Sequence, residues 1–262
     1  MRMENVIQPS IGNRHCLLER MSAFHPLPDQ TRQHLRRICT VHHLSAGETL
    51  AHQGDAVRGV YFVRNGLLRM QKQLVDGRVQ IVGLLAKDHM IGTVFVEKHA
   101  FSIEAVAPTE VISFDAAQFR PLVGSTPDLE QILLRGFQDE VDASLNWLLL
   151  VSCSKVRARL AGFLLILMSR YKDIPNLMDE RGETLSLKIP ISRIDISNLL
   201  GVRPESLSRA FHALADDGLI EIIKHDHVRI VDVEGLSMEV GDPEMFRSGS
   251  DDHEGGKVKR SR

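Results

Sequence analysis

The feature that most constrains this chain is the stretch from Ile189 to Asp217, which reads IPISRIDISNLLGVRPESLSRAFHALADD. Its apolar residues fall where two helices that cross at a wide angle bury them, at Ile196, Leu200, Val202, Leu207 and Ala210. Ser197 is small where the second helix passes closest, and Gly201 stands at the turn, where positive φ is needed. Pro204 fits only near the start of the second helix. The pattern predicts a helix-turn-helix.

The residues that follow this motif also have a regular pattern. The segment GLIEIIKHDHVRIVDV alternates on both sides of a turn at His225 and Asp226, which is typical of the wing of a winged helix. An ordinary helical hairpin with solvated charges is the alternative. The apolar, small and glycine positions agree together, and they favour the DNA-binding interpretation.

The composition is that of a globular protein outside the membrane. The chain has 262 residues, 43% hydrophobic and 25% charged, with a formal net charge of −2. No apolar run approaches the roughly 18 residues of a membrane span, and the first ten residues lack the apolar core of a signal peptide. Cys16, Cys39 and Cys153 lie far apart, which argues against a disulfide framework and for a reducing cytoplasm. Because the chain is not basic overall, DNA binding must depend on a local surface.

The first half of the chain predicts a β-domain. From Val41 to Phe119, short alternating runs are separated by glycines about every ten residues, as in a β-sandwich or jelly roll, and Val75 to Arg78 is a hairpin tip. Residues 171–185 are predicted to be a loop. We therefore expect an α+β fold with these parts: an N-terminal arm (1–26), a β-roll (27–126), a dimerisation helix (127–153), a winged helix-turn-helix (154–236) and a disordered tail (237–262).

The long helix is predicted from Pro127 to Ser152, with Thr126 as its cap. Its apolar residues recur three or four apart, at Leu129, Leu133, Phe137, Val141, Leu145 and Leu148. One such helix could simply pack on the β-sheet. Its length favours a two-stranded seam with a second copy of the chain.

A β-roll, a long helix and a C-terminal helix-turn-helix in this order resemble the Crp/Fnr family of bacterial transcription regulators. The resemblance rests on SAGETLAHQGDAVRGVYFVRNGLLRM and VDGRVQIVGLLAKDHMIG in the roll, and on ISRIDISNLLGVRPESLSRAFHALADDGLIE in the C-terminal part. The recognition helix is similar to that of the Fnr/FixK branch, which is marked by E-x-x-S-R, here Glu205, Ser208 and Arg209. The resemblance implies a homodimeric regulator that binds double-stranded DNA, and an activator that contacts RNA polymerase through roll loops such as Val75 to Arg78.

The expected DNA contacts follow from side-chain chemistry. Arg209 can donate two hydrogen bonds to guanine, and Glu205 can accept one from cytosine, while Ser208 touches a base edge or a thymine methyl beside them. Arg193 and Arg203 are expected on phosphates, which fix register without reading sequence. The predicted DNA-binding residues are Arg193, Arg203, Glu205, Ser206, Ser208 and Arg209. The resemblance implies TTGAT-like half-sites in an inverted palindrome, with centres about one helical turn apart.

The resemblance also indicates which of the family's known ligands and cofactors the roll is not expected to bind. Relatives that bind cyclic AMP use a Glu for the ribose and Arg-Ser for the phosphate, whereas this chain has Thr93 at the first position and Ala100 or Phe101 before Ser102. Relatives that hold a [4Fe–4S] cluster use four cysteines. This chain keeps Cys16, but its three cysteines cannot supply four thiolate ligands. Neither group is therefore expected.

Other signals stay open. A mixed site of His15, Cys16 and His25 is an alternative to a partly buried cysteine. Haem is another alternative, because the chain has 12 histidines, although no spacing singles out a ligand. Cys153 follows the dimerisation helix among basic residues, so Cys153 and Cys16 are candidates for a thiol switch, and inert cysteines are the alternative. We predict no cofactor and no metal site, with activity set by protein abundance or by an unidentified signal.

Enzyme activity is not expected. The chain has no P-loop, no H-E-x-x-H and no nucleophile motif in a matching context. A cupin-like barrel that binds a small ligand is the alternative from another class. His42, His43 and His52 lie near one another in sequence, but the H-x-H and carboxylate pattern of a cupin does not follow them.

Overall fold

The computed structural model of the chain describes residues 18, 21–92, 96–170, 178–181 and 184–241. Its first part is an antiparallel roll with strands β1 (Cys39–Leu44), β2 (Thr49–Ala51), β3 (Gly59–Asn65), β4 (Leu68–Gln73), β5 (Val79–Leu85), β6 (Met90–Ile91), β7 (Ser102–Ala105) and β8 (Thr109–Asp115). These strands form two four-stranded sheets, ordered β1-β8-β3-β6 and β2-β7-β4-β5. The predicted α+β fold is confirmed.

Turns between the strands are set by glycine. Gly66 joins β3 to β4 with a φ of 95°, and a Cβ at this position would lie 2.5 Å from the backbone of Pro108 and Thr109. Only glycine fits there. At the predicted hairpin tip, the amide of Leu74 donates to the carbonyl of Arg78 at 2.8 Å, so the tip stands where the sequence placed it.

The roll has one core between its sheets and a second on the outer face of the β1-β8-β3-β6 sheet. A short 3-10 helix (Ser22–Phe24) and α1 (Asp29–Ile38) cover this outer face. Leu18, Met21 and Phe24 are at most 1% exposed in the second core, and Phe24 meets Phe62 edge-on at 5.0 Å. The described part of the predicted N-terminal arm (1–26) therefore packs on the roll, because these apolar side chains cover the sheet.

The long helix is confirmed as predicted. After α2 (Ala116–Ser125), α3 runs from Pro127 to Ser152. Thr126 is its N-cap residue, but the Thr126 side chain does not make the predicted capping hydrogen bond. The assignment of Leu129 and Leu133 to a dimer seam is wrong, since they are 0% and 5% exposed and belong to the second core of the roll. The exposed stripe begins at the next residue and consists of Leu134, Phe137, Val141, Leu145 and Leu148.

The C-terminal unit joins helices to a small sheet. Its elements are α4 (Val156–Arg170), β9 (Met178–Arg181), β10 (Thr184–Lys188), α5 (Arg193–Leu200), α6 (Pro204–Asp216), β11 (Ile220–Lys224), β12 (His227–Ile230) and α7 (Val233–Val240). The sheet order is β11-β12-β10-β9. The predicted loop at 171–185 is wrong where it covers β9 and the start of β10, because β10 pairs with the wing strand β12.

The folded part also extends past its predicted end at residue 236. Leu236 and Val240 on α7 are 0% and 9% exposed, and α7 packs against α4. The tail predicted at 237–262 is thus ordered through Gly241, and its remainder lies outside the described residues.

The C-terminal unit packs directly on the roll. Leu67, Ile81 and Leu84 of the roll belong to the same apolar cluster as the buried residues of α4, α5 and α6. Arg69 on β4 forms a 3.0 Å ion pair with Asp195 on α5, and the Gln80 side chain donates to the carbonyl of Asn198. The first helix of the motif is therefore fixed to the β4–β5 hairpin.

None of the helices among the described residues is both long enough and apolar enough to cross a membrane.

The roll contains a half-buried histidine, His42, that makes its stability depend on pH. His42 lies 2.7 Å from the hydroxyl of Ser113, and burial lowers the pKa of His42, with a smaller contribution from His43. Because the pKa of His42 is lower in the folded than in the unfolded chain, the unfolded chain binds more protons below pH about 6.5. This contribution to stability is therefore complete above pH about 6.5 and is lost as the pH falls towards the folded pKa.

We accordingly expect His42→Gln to reduce the slope of unfolding free energy against pH between about 7 and 5. Chemical denaturation at several pH values measures this slope. His99, whose pKa burial also lowers, leaves a residual slope. His34→Gln on the exposed face of α1 is the matched control and should change nothing. A slope for His42→Gln equal to that of the unmodified protein would contradict the assignment.

Candidate nucleic-acid interface

The helix-turn-helix is built as the sequence predicts. The hydroxyl of Ser192 accepts a hydrogen bond from the amide of Asp195, and the Asp195 carboxylate accepts one from the amide of Ser192, so a capping box starts α5. Gly201 ends α5 with a φ of 62°. Ser197 is 1% exposed, as expected where the helices approach closely.

Helix α6 has one buried and one exposed face. Pro204 is its first residue, and Leu207, Ala210, Phe211 and Leu214 are at most 5% exposed. These residues belong to the large apolar cluster that also contains α4 and the wing strands. The packing holds α6 firmly, so that its polar face has a fixed orientation.

The predicted readout residues lie together on the polar face. Arg203, Glu205, Ser208 and Arg209 are exposed, and Ser206 is half-buried beside them. The Arg209 guanidinium donates a long hydrogen bond of 3.4 Å to the Ser206 hydroxyl. Such a weak contact leaves the guanidinium available for another acceptor. The positive end of the α6 dipole adds to the attraction for phosphate at Arg203.

The side chain of Arg193 is not in the solvent-facing position that the sequence predicts. Its Nε donates to the backbone carbonyl of His225 at 2.9 Å, and its guanidinium carbon is 3.2 Å from the centre of the Phe211 ring. This side chain packs inward between α6 and the wing, whereas the predicted phosphate contact would have it face the solvent. Its long stem and planar head suit a half-buried position on an aromatic ring.

The structure adds exposed residues that the sequence analysis did not select. His212 follows Arg209 by three positions and Ser208 by four, which places it on the same face of α6, and it is exposed. Lys224 and His225 are exposed at the end of the β11–β12 hairpin. The helical spacing of His212 and the hairpin position of Lys224 were visible in the sequence and could have identified both.

The junction between α3 and the C-terminal unit contains Cys153. This residue caps α3, and its carbonyl accepts a hydrogen bond from Nε of Arg159 at 2.7 Å. Arg159 also donates to the carbonyl of Leu200 at 3.0 Å, next to the turn of the motif. The end of the long helix is thus connected to the helix-turn-helix by one arginine. The other redox candidate, Cys16, lies outside the described residues.

A small cavity lies where the roll meets α3. This cavity of about 10 Å³ lies between β4, β5 and α3, lined by residues that include Met70, His89, Glu140 and Trp147. Its volume is about that needed for one water molecule. The ring of Phe101, one of the two residues predicted where cyclic-AMP regulators carry an arginine, lies under the Lys72 ammonium at 5.5 Å. Thr93 lies outside the described residues. Among the residues that the structure describes, no group of three or more His, Cys, Asp or Glu side chains could hold a metal ion.

Two family models match the chain in the order of its structural units. One, described as a cyclic nucleotide-binding domain, matches residues 41–126. The other, described as a Crp-like helix-turn-helix domain, matches residues 158–238. The first corresponds to the roll and the second to α4 through α7.

Relatives and solved structures agree with these models. The transcriptional activator protein FnrL of Cereibacter sphaeroides is 30% identical over 197 residues, which cover 75% of this chain and 79% of FnrL. The nitrogen fixation regulation protein FixK of Bradyrhizobium diazoefficiens is 30% identical over 190 residues, 72% of this chain and 77% of FixK. The structure of FixK2 from Bradyrhizobium japonicum shares the fold, with a TM-score of 0.66 and 22% identity over 77% of this chain and 96% of FixK2. The chain therefore belongs to the Crp/Fnr family of transcription regulators and is of its Fnr/FixK type.

Proposed function

We propose that the chain acts in the cytoplasm as a homodimer that binds a palindromic DNA site and activates transcription through contact with RNA polymerase. The observation that carries the proposal is the exposure of Glu205, Ser208 and Arg209 on one face of α6, whose opposite face is buried. The names of FnrL and other relatives as transcriptional activators support the direction of regulation.

The proposed readout assigns a separate role to each charged side chain. The Arg209 guanidinium donates two parallel hydrogen bonds to O6 and N7 of guanine, and the Glu205 carboxylate accepts one from N4 of cytosine. Arg203, at the start of α6, contacts phosphate. The resemblance to the Fnr/FixK branch supports TTGAT-like half-sites.

The exposed stripe of α3 supports a dimer. Phe137, Val141, Leu145 and Leu148 are 37%, 57%, 51% and 61% exposed, although each is a large apolar side chain. They recur every three or four residues along a 26-residue helix, as in a two-stranded seam. A second copy of α3 covers this stripe and brings two α6 helices to the two halves of a palindrome.

We further propose that the roll binds neither cyclic AMP nor a four-cysteine cluster. Thr93 stands where cyclic-AMP relatives have the Glu for the ribose, and Ala100 or Phe101 stands where they have the Arg for the phosphate. Haem and a thiol switch at Cys153 are the alternatives within the same family.

The proposal is tested by equilibrium binding of the purified protein to labelled duplexes. We expect an inverted TTGAT repeat to be bound by two chains, at least about 10³-fold more tightly than a scrambled duplex, without added cyclic AMP and unchanged by it. A duplex with a single half-site is the matched control and should bind weakly. Equal affinity for the repeat and the scrambled duplex would reject the proposed readout.

A further inference from the structure

The inward position of Arg193 connects three parts of the DNA-binding unit. Arg193 is the first residue of α5, Phe211 lies on the buried face of α6, and His225 is in the turn of the wing. One guanidinium stacks on the Phe211 ring at 3.2 Å and donates to the His225 carbonyl at 2.9 Å. The wing is thus connected to the recognition helix through a side chain of the first helix.

The guanidinium remains charged in this position. Burial lowers the pKa of Arg193 to about 10, and the nearby carboxylate of Asp226 opposes the decrease. Among the described residues, Nη1 of Arg193 is buried without a hydrogen-bond partner. A planar guanidinium that stacks on an aromatic ring and donates to a backbone carbonyl has few alternative positions. Arg193 therefore fixes the position of the wing relative to α6.

The turn of the wing is held a second time by the backbone. The amide of Ile189, which precedes α5, donates to the carbonyl of Asp226 at 2.7 Å. The β11–β12 pairing has an irregularity between Ile222 and Lys224, immediately before the turn. With its backbone tied on the inner side, the turn directs the exposed side chains of Lys224 and His225 outward.

We infer that Arg193 is a positioning residue, which sets the wing against α6 so that Lys224 contacts the DNA backbone beside the half-site. The inference rests on the proposed function, in that α6 enters the major groove. Arg193 itself does not touch DNA. The wing contact adds affinity that depends on salt and not on sequence, since a lysine on a phosphate carries no base information.

If Arg193 positions Lys224, substitutions of these two residues should not have independent effects on DNA affinity. Each lost phosphate contact reduces the slope of log affinity against log salt by about 0.9, or by about 1.8 for a dimer. If Arg193 acts only by placing Lys224, Arg193→Met and Lys224→Gln should each produce this reduction. The double variant should then be no worse than either single variant.

The experiment is a double-mutant cycle, measured over a series of KCl concentrations on both the inverted repeat and a scrambled duplex. Besides the reduced slopes, we expect the ratio of the two affinities to be unchanged in Arg193→Met and Lys224→Gln. Arg203→Gln is the matched control, an arginine outside the wing whose effect should add to that of Lys224→Gln. Additive effects of Arg193→Met and Lys224→Gln would overturn the inference, because Arg193 would then act on DNA independently.

If Arg193→Met unfolds the C-terminal unit, the more conservative variant Arg193→Lys still tests the inference. Arg193→Lys retains the charge but not the planar group that stacks on Phe211, and we expect the reduced slope to persist. Full recovery of the slope by lysine would indicate a simple phosphate contact and would overturn the inference. Because the wing contact does not depend on sequence, the cycle can be measured on scrambled DNA even if the proposed TTGAT readout fails.

Discussion

Arg209→Ala is expected to remove most of the preference for the cognate site while leaving general DNA affinity largely intact. A bidentate contact to guanine contributes about 1–3 kcal/mol of discrimination, which corresponds to roughly 5- to 150-fold for each half-site. Arg209 is exposed and loosely held on α6, so its truncation leaves the buried face of the helix unchanged. Measuring the affinity for the inverted repeat and for a scrambled duplex gives the ratio of the two affinities, which is the preference for the cognate site.

Arg203→Ala is the matched control for this prediction. Arg203 is also exposed, but it stands at the N-cap of α6, where phosphate contact is expected. Its loss should weaken binding to both duplexes by the same factor. If Arg209→Ala also weakened both equally, Arg209 would be a phosphate contact and its assignment as the guanine reader would be wrong.

Charges in the exposed stripe of α3 are expected to separate the dimer. Val141 and Leu145 are 57% and 51% exposed in a single chain and lie one helical turn apart in the centre of the stripe. The double substitution Val141→Asp and Leu145→Asp would bury four like charges in a dimer seam, which cannot be compensated there. We expect a folded monomer by sedimentation and a loss of about 10²–10⁴-fold in affinity for the palindrome, because the two half-sites are no longer bound jointly.

The control for this variant is Met238→Asp on α7. Met238 is a large apolar side chain that is 73% exposed, but it lies outside the stripe. Its replacement should leave both the molecular mass and the DNA affinity unchanged. A stable dimer of the α3 double variant would contradict the seam and would place the dimer contact on another surface.

Much of the fold was predictable because its local signals are strong. Glycine at Gly66 and Gly201 occupies positive-φ positions that few other residues adopt, and Pro127 and Pro204 each begin a helix. The spacing of Glu205, Ser208 and Arg209 placed all three on one exposed face. Membership in a family of transcription regulators also confirms the prediction that the chain is not an enzyme.

The errors arose where tertiary contacts determine the outcome. Leu129 and Leu133 share the helical stripe with Val141, and only the position of the roll shows that they are buried in their own chain. Arg193 lies at the start of a helix, where an arginine is normally solvated, but the wing returns to meet it. The strands β9 and β10 have weak local patterns and depend on pairing with β12.

Selection of bound duplexes from a random pool tests the proposed dimeric readout without assuming a site beforehand. We expect enrichment of an inverted repeat of TTGAT-like half-sites, with centres about one helical turn apart. In the same selection, the Arg209→Ala variant should no longer select guanine at the contacted position of each half-site. The spacing between the two half-sites should be unchanged. Enrichment of a single unrepeated motif, or of no motif, would contradict a dimer that reads DNA through Glu205, Ser208 and Arg209.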